Sequence, residues 1–197
     1  MDEKSLKDQI LGAEENSLFF RSDFPQYHTE SVGRVLSALT DEGVLVRLSP
    51  GIYVKPRMSR FGPVMPSVEK VVEEIAVRDK VQVLPAGAAA LNALGLSTQV
   101  PVSYCFLTMG SARTLMIGNK KVTLKRGVPR NFAYRTRLIA LLVQALRTLG
   151  EKNVGEQELA QIRRLVSQEP DKVALVSDVL MMQEWMKRIV KPMIKEK

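Results

Sequence analysis

The side chains of this sequence whose types and spacing best suit a chemical role are short polar and basic residues. They lie on a predicted helix and on the hairpin that follows it. Ser and Arg on the outward face of a helix can form hydrogen bonds with base edges in a major groove. Basic side chains on a neighbouring hairpin can contact phosphates, which position a protein on a duplex without reading its sequence. The candidate DNA-contacting residues are Ser31, Arg34, Ser37, Ala38, Arg47, Ser49, Tyr53 and Lys55.

A second set of candidate residues is basic and lies in the middle of the chain. The 197 residues carry 29 Lys and Arg against 21 Asp and Glu, a net charge of +8. The net charge is −3 over residues 1–56, 0 over 57–79, +10 over 80–150 and +1 over 151–197, and residues 80–150 contain no carboxylate. This bias predicts a positive surface for an anionic partner, although basic side chains that only solvate exposed strands would produce it too. The candidate surface comprises Arg113, Lys120, Lys121, Lys125, Arg126, Arg130, Arg135 and Arg137.

The chain offers few side chains for catalysis. It has one histidine, His28, and one cysteine, Cys105, so a Cys/His metal cluster is impossible. His28 lies at the predicted start of a helix, and Cys105 lies in an apolar strand, where it is interpreted as a small buried hydrophobe. Two-metal phosphoryl chemistry needs clustered carboxylates, which residues 80–150 lack. We therefore expect no enzyme, cofactor, metal or small-molecule substrate.

The sequence also predicts where the protein acts. Its start, Met1-Asp2-Glu3-Lys4, is charged and lacks the apolar region of a signal peptide. The longest apolar runs, such as 138–143, are too short to span a bilayer. A single cysteine fits a reducing compartment. We expect a cytoplasmic protein that has no membrane partner.

The helix that carries the first candidate residues is predicted over 29–42. Thr29 is a suitable N-cap, and Gly43 ends the helix as a residue of positive φ does. The outward positions include Glu30, Ser31, Arg34, Ser37, Ala38 and Asp41. The buried face is marked by apolar residues at i, i+3, i+4 and i+7, which are Val32, Val35, Leu36 and Leu39.

The elements around that helix follow the chain order of a winged helix-turn-helix. Strands at 44–48 and 52–54 flank the turn Ser49-Pro50-Gly51. A helix over 4–14, an extended run at 18–20 and a helical turn at 21–24 precede the predicted helix. Winged helices also serve as protein-binding modules, so the fold alone leaves both roles open.

The rest of the chain completes an α+β prediction. In the middle domain, Gly118-Asn119 predicts a hairpin in which Val122 and Leu124 share one face and Lys121 and Lys125 the other. Its other elements are a helix from 66, a strand at 81–84, an alanine-rich helix at 88–94 and a strand at 102–107. Helices are predicted over 138–149, 159–166 and 173–189, with a fraying end at 187–197. The predicted domains are a winged helix-turn-helix at 1–56, a linker at 57–65, a basic α+β domain at 66–135 and a helical segment at 136–197.

Two stretches of the sequence resemble a known family. The end of the predicted wing, Arg47-Leu48-Ser49-Pro50-Gly51-Ile52-Tyr53-Val54, is similar to the N-terminal domain of AbiEi-type antitoxins. The run Leu84-Pro85-Ala86-Gly87-Ala88, followed by Asn92-Ala93-Leu94-Gly95-Leu96-Ser97-Thr98-Gln99-Val100-Pro101, resembles AbiEi-like antitoxins of type IV toxin–antitoxin systems, in their DUF6088-type branch. The resemblance extends over about residues 5–135.

The resemblance implies two partners. The winged helix of such a protein would repress its own operon by binding double-stranded operator DNA, and the rest of the chain would counteract a toxin of nucleotidyltransferase fold. The alternative is an RNA-binding or protein-interaction module that uses the basic middle domain and has no toxin partner. Aromatic side chains that could stack on RNA bases are present there as Tyr104, Phe106, Phe132 and Tyr134.

Overall fold

The structure is a computed structural model that describes residues 3–195, so residues 1–2 and 196–197 of the outer predicted domains lie outside the described residues. The fold is α+β, as predicted. The helices are α1 (Glu3–Gly12), α2 (Thr29–Asp41), α3 (Val68–Asp79), α4 (Ala88–Ala93), α5 (Arg137–Leu149), α6 (Glu156–Gln168), α7 (Lys172–Met181) and α8 (Glu184–Lys195). The strands are β1 (Leu18–Phe20), β2 (Val46–Ser49), β3 (Ile52–Val54), β4 (Arg57–Ser59), β5 (Gly62–Val64), β6 (Val83–Ala86), β7 (Ser103–Thr108), β8 (Arg113–Ile117) and β9 (Lys120–Arg126). Short 3-10 helices lie at Arg21–Asp23, Pro129–Phe132 and Glu151–Asn153.

The described strands form three sheets. One has the strand order β1-β3-β2, the second is the β4-β5 pair, and the third has the order β6-β7-β9-β8. In the first sheet the central strand pairs antiparallel with both neighbours, so that Tyr53 lies opposite Phe19 on one side and Arg47 on the other. This order is the winged-helix arrangement in which β2 and β3 form the wing.

By their contacts, the described residues form two compact units. The first contains the chain up to Arg78 together with Thr114–Lys121, and the second contains Asp79–Arg113 and the chain from Val122 onward. This division differs from the predicted boundaries after residues 56, 65 and 135. One core of the first unit is formed by α1, α2, β1 and the wing, with Leu6, Ile10, Phe19, Phe24, Val32, Val35, Leu36, Leu39, Leu45 and Tyr53 buried together. The predicted apolar face of α2 is therefore confirmed.

The second unit joins the predicted helical tail to part of the middle domain. Leu84 of β6 and Ala90 and Leu94 around α4 share one core with apolar residues of α5 to α8. The cause is α5, in which every residue from 139 to 146 is buried, because a helix that is apolar on nearly all sides must be covered on nearly all sides. The tail from residue 136 is thus not a separate packing unit.

The predicted linker at 57–65 is instead the β4-β5 hairpin. Arg57 pairs with Val64, Met58 with Pro63 and Ser59 with Gly62. The prediction of a linker depended on Gly62 and Pro63, because Gly and Pro are common in loops. Gly62 adopts a φ of +108°, which glycine takes without steric cost. Proline is tolerated in a strand at the edge of a sheet, and both strands of a two-stranded sheet are edges.

Smaller differences have similar causes. Strand β6 extends through Pro85 and Ala86, two residues beyond the predicted end at 84, and it tolerates proline because it lies at the edge of its sheet. The N-cap of α2 is His28 rather than Thr29.

The third tail helix breaks at Met182, whose backbone is extended. The break lets α7 pack on α5 and α8 on α6. The end does not fray through residue 194, because Val190 and Met193 are buried; the remainder of the predicted end, residues 196–197, is outside the described part.

Candidate nucleic-acid interface

The outward face of α2 presents small and polar side chains. Ser37 and Ala38 are exposed in the middle of this face, and Glu30 and Asp41 are exposed near its two ends. Burial of Val32, Val35, Leu36 and Leu39 against the core fixes the rotation of the helix about its axis. Because side chains three and four residues apart share a face, Arg34, Ser37 and Ala38 lie side by side. Because Ser37 and Ala38 have small side chains, another molecule could approach the helix closely at this face.

Arg34, the only cation of α2, is held by a neighbouring helix. Its Nη2 donates to Oε1 of Glu3 in α1 at 2.6 Å and to Oγ of Ser31 at 3.1 Å. Hydrogen bonds from Ser31 and Arg34 hold the pKa of Glu3 below its usual value. Glu3 is therefore a carboxylate at neutral pH, and it pairs with the guanidinium group of Arg34, one of the predicted DNA-contacting residues.

The wing is short and has a small tip. Arg47 and Pro50 are exposed, whereas Ser49 is half-buried. Gly51 has a φ of +79°, and the register of the two wing strands shifts between Arg47 and Ser49. Such a shift increases the local twist and redirects side chains. The wing thus offers one exposed cation, Arg47, next to a tip of Pro50 and Gly51.

Two predicted contact residues serve the fold instead. Tyr53 is 6% exposed and lies in the core of the first unit, so its side chain stabilises the fold and leaves little surface for the predicted contact with DNA. Lys55 donates through Nζ to the carbonyl oxygens of Leu11 (2.6 Å) and Ala13 (2.7 Å). Those carbonyls lie at the end of α1, where the negative end of the helix dipole favours a cation. Lys55 is thereby a cap of α1 rather than an open phosphate contact.

The sequence prediction missed the β4-β5 hairpin as a surface feature. Arg57 and Arg60 are exposed on it, and Phe61 at its tip is 87% exposed. One signal was available: residues 43–68 contain four cations, Arg47, Lys55, Arg57 and Arg60, and no Asp or Glu. The wing and the second hairpin therefore lie in one carboxylate-free segment, although residues 1–56 as a whole have a net charge of −3.

The basic residues of the middle chain follow the predicted alternation on β9. Val122 and Leu124 are buried, at 0% and 2% exposure, while Lys121, Lys125 and Arg126 are exposed. This confirms the predicted faces of the hairpin. Lys120 and Lys121 belong to the first unit, and the other six candidate residues of this set belong to the second.

Several members of the basic set have structural partners. Arg113 forms an ion pair with Asp79, and both side chains are largely buried, so Arg113 is not an open part of the surface. Arg130 donates to the carbonyl of Met181 at 3.3 Å. The backbone N–H of Arg135 donates to Asp178 at 2.9 Å, while its side chain is exposed, as is that of Arg137.

The histidine and the cysteine belong to different units. His28 is exposed at the start of α2, and its side chain forms no capping hydrogen bond. Cys105 is a half-buried free thiol on β7. Across residues 3–195, no three His, Cys, Asp or Glu side chains are grouped so that they could hold a metal ion. None of the helices described in this range combines the length and the apolar character needed to cross a membrane.

Comparison with known proteins gives a family and a fold. A model described as a family of unknown function, DUF6088, matches residues 5–174. Among solved structures, the crystal structure of RV2827C protein from Mycobacterium tuberculosis is similar, with a TM-score of 0.53 at 14% sequence identity over 96% of this chain and 74% of that chain. No curated protein matches the sequence. Because the family model matches most of the 197 residues, the chain belongs to DUF6088, a family of unknown function.

Proposed function

We propose that this protein is a DNA-binding transcriptional repressor that reads its own operator through α2 and the wing. The observation that carries the proposal is the exposed face of α2 at Ser37 and Ala38, followed along the chain by a wing with an exposed Arg47. A helix with small outward side chains can lie deep in a major groove. A basic wing beside it can then contact phosphates of the same duplex.

The charge near the wing supports this proposal, whereas the net charge of −3 over residues 1–56 does not. The carboxylates of residues 1–56 are concentrated before residue 24 and at Glu30, Asp41 and Glu42, whereas the wing has none. Glu3 of α1 contacts Arg34, and Glu30 and Asp41 are exposed on α2, so the support from charge comes from the wing, where the exposed Arg47 can contact phosphates.

The direct test measures binding of the full-length protein to DNA taken from upstream of its own reading frame. We expect tighter binding to this DNA than to a shuffled duplex of equal composition, measured by fluorescence anisotropy at one salt concentration. Arg34→Ala and Arg47→Ala should each weaken binding by about 1–3 kcal/mol, or roughly five- to 150-fold. Arg164→Ala, at an exposed position of α6, is the matched control. Unchanged affinity in both variants would contradict DNA binding through the winged helix.

We further propose, from the resemblance to AbiEi-like antitoxins, that the repressor is also an antitoxin that acts in the cytoplasm on a toxin of nucleotidyltransferase fold. DUF6088 is a family of unknown function, so membership of it neither supports nor contradicts this role. A downstream reading frame that encodes a nucleotidyltransferase would support the proposal. Co-purification of that protein in high salt would support a direct contact, and growth arrest that this chain fails to relieve would contradict it.

The alternative is an RNA-binding or protein-interaction module without a toxin. The observation in its favour is the run of residues 80–150, which has ten cations and no carboxylate. RNA held by charge alone should dissociate as salt is raised, because binding releases counterions. Pull-down at low and high salt therefore separates the two: a protein toxin should persist in high salt, and loosely bound RNA should not.

A further inference from the structure

Immediately after the wing, the chain forms a second hairpin whose tip carries the most exposed large apolar side chain of the described residues. Only Lys55 and Pro56 separate β3 from β4, so the Cα atoms of Val54 and Arg57 are at most ~11 Å apart. Phe61, at the tip, is 87% exposed. The wing tip, Pro50-Gly51, is small by comparison, so the two hairpins present different chemistry at their ends.

The tip is an ordered turn. Oγ of Ser59 accepts a hydrogen bond from the backbone N–H of Phe61 at 3.2 Å and donates one to the carbonyl of Gly62 at 2.9 Å. Gly62 takes a positive φ of +108°, which closes the turn at no steric cost. Hydrogen-bonded backbone therefore flanks Arg60 and Phe61, and their side chains extend from the end of the hairpin.

The chemistry of this tip combines one aromatic ring with cations. The guanidinium carbon of Arg60 lies 4.6 Å from the centroid of the Phe61 ring, and Arg57 is exposed on β4. The carboxylates closest in sequence are Glu42 and Glu69. Nucleic acids match this combination, since bases stack on aromatic rings and phosphates pair with arginine. An apolar groove on a protein would match the ring but not the uncompensated positive charge.

We propose that the β4-β5 hairpin is a second DNA-contacting element, which inserts Phe61 against a base step of duplex DNA while Arg57 and Arg60 contact the flanking phosphates. The inference rests on the proposed function, because it assigns a further contact to the same duplex that α2 and the wing bind. Apolar wedges of this kind partly unstack a base step and bend the duplex. The hairpin therefore adds affinity through stacking and deforms the DNA, whereas α2 supplies contacts to base edges.

The test uses the full-length protein and the upstream DNA in a salt series. Phe61→Ala should lower affinity about five- to 150-fold and leave the slope of log K against log salt unchanged, because stacking releases no counterion. Arg57→Gln and Arg60→Gln should each reduce the magnitude of that slope by about 1. DNA that carries 2-aminopurine should gain fluorescence with the wild type and lose this gain with Phe61→Ala. Val77→Ala, which trims another exposed apolar side chain (79% exposed) in the first unit, should change neither readout.

The outcomes separate this inference from the proposed function. If Phe61→Ala binds like the wild type and the fluorescence gain persists, while Arg47→Ala loses affinity, the hairpin has no such role and the repressor proposal stands. If the wild type binds its upstream DNA no more tightly than a shuffled duplex, the proposed function and this inference are both contradicted. If Phe61→Ala loses a protein partner while DNA binding is unchanged, the hairpin is a protein contact and the inference is overturned. Because Phe61 is exposed, the variant should keep the wild-type melting temperature, so lost binding cannot be assigned to unfolding.

Discussion

At the scale of single residues, Arg34, which we propose reads DNA, is held in an intramolecular contact. Arg34 donates to Glu3 and Ser31, and the side chains of the pair remain substantially exposed, at 69% and 45%. Exposed ion pairs are weak, so a phosphate can displace Glu3 at low cost. Under the proposed function, Glu3 competes with DNA for Arg34 and lowers the affinity of the free protein for nonspecific sites.

Removing this competitor should strengthen DNA binding. Glu3→Gln keeps the shape of the side chain and removes its charge, so we expect affinity for upstream DNA to rise about two- to fivefold above that of a charge-matched control. Asp8→Asn, at an exposed position of the same helix, is that control. Equal affinities of the two variants would show that only net charge matters and that Glu3 does not restrain Arg34.

A second residue sets a pH dependence of stability. Glu74, half-buried on α3, lines a cleft with Leu18 and Phe20, and burial raises its pKa above the usual 4.5 even though Lys70 acts in the opposite direction. The folded state therefore binds this proton more tightly than the unfolded state does. The resulting stabilisation is complete below about pH 4.5 and is lost as pH rises through the raised value.

Glu74→Gln should accordingly be more stable than the wild type at pH 7 and closely similar to it at pH 4, as measured by urea unfolding midpoints. Glu69→Gln changes an exposed carboxyl of the same helix and should have a small effect that is alike at both pH values. A destabilised Glu74→Gln at pH 7 would mean that the pairing of Glu74 with Lys70 outweighs the cost of burying its charge.

At this scale, sequence could predict which residues face outward but not which of them are already occupied. Ser37 and Ala38 followed from helical periodicity and are exposed. The engagement of Lys55 with carbonyls of residues 11 and 13 depends on how α1 meets the end of β3, a long-range contact that no local pattern reports. The burial of Tyr53 depends likewise on the central position of β3 in its sheet.

At the scale of elements, periodic signals predicted most helices and the β8-β9 pair, whereas the two-stranded β4-β5 sheet was missed. Helix α2 and strand β9 have strong repeats of 3.6 and 2 residues, and their buried faces are those expected. The β4-β5 hairpin was read as a linker because a two-stranded sheet with two edges tolerates Gly62 and Pro63. The break between α7 and α8 falls at Met182-Gln183, where no Gly or Pro marks the end of a helix, so no local pattern predicts the bend.

One buried carboxylate connects two helices of the second unit. Asp178 of α7 is 0% exposed. It accepts hydrogen bonds from the backbone N–H groups of Arg135 (2.9 Å) and Thr136 (2.7 Å) and from Oγ1 of Thr136 (2.7 Å). These donors lie at the N-terminus of α5, where the helix dipole favours an anion. The positioning of α5, the central helix of this core, therefore depends on a residue 42 positions from Thr136.

Asp178→Ala should destabilise the protein by about 3 kcal/mol, because it leaves buried donors without an acceptor. The melting temperature should fall by about 6–12 °C. Asp171→Ala is the matched control: Asp171 is exposed and caps α7 through a single bond to the N–H of Ala174, so about 1 kcal/mol should be lost. Equal losses in calorimetry would show that the Asp178 bonds contribute no more than an ordinary surface cap.

At the scale of the whole molecule, the net charge of +8 is the sum of segments that differ strongly in charge. The segment proposed to read DNA, 1–56, has a net charge of −3, and three of its six cations, Arg34, Arg47 and Lys55, lie on α2 or in and directly after the wing. The stretch 80–150, at +10, has its own exposed cations on β9. Under the proposed function, the residues that read bases are thus not those that make the protein basic.

The central claim, that the outward face of α2 lies against DNA, is tested most directly by placing a carboxylate on that face. Ala38→Glu keeps helix propensity and turns a negative charge toward the proposed duplex, while Ala160→Glu makes the same change at an exposed position of α6. We predict that Ala38→Glu lowers the affinity of the full-length protein for its upstream DNA about 100-fold in fluorescence anisotropy, since juxtaposed like charges cost several kcal/mol. Ala160→Glu should stay within about threefold of the wild type. Equal affinities of the two variants would contradict DNA recognition by α2.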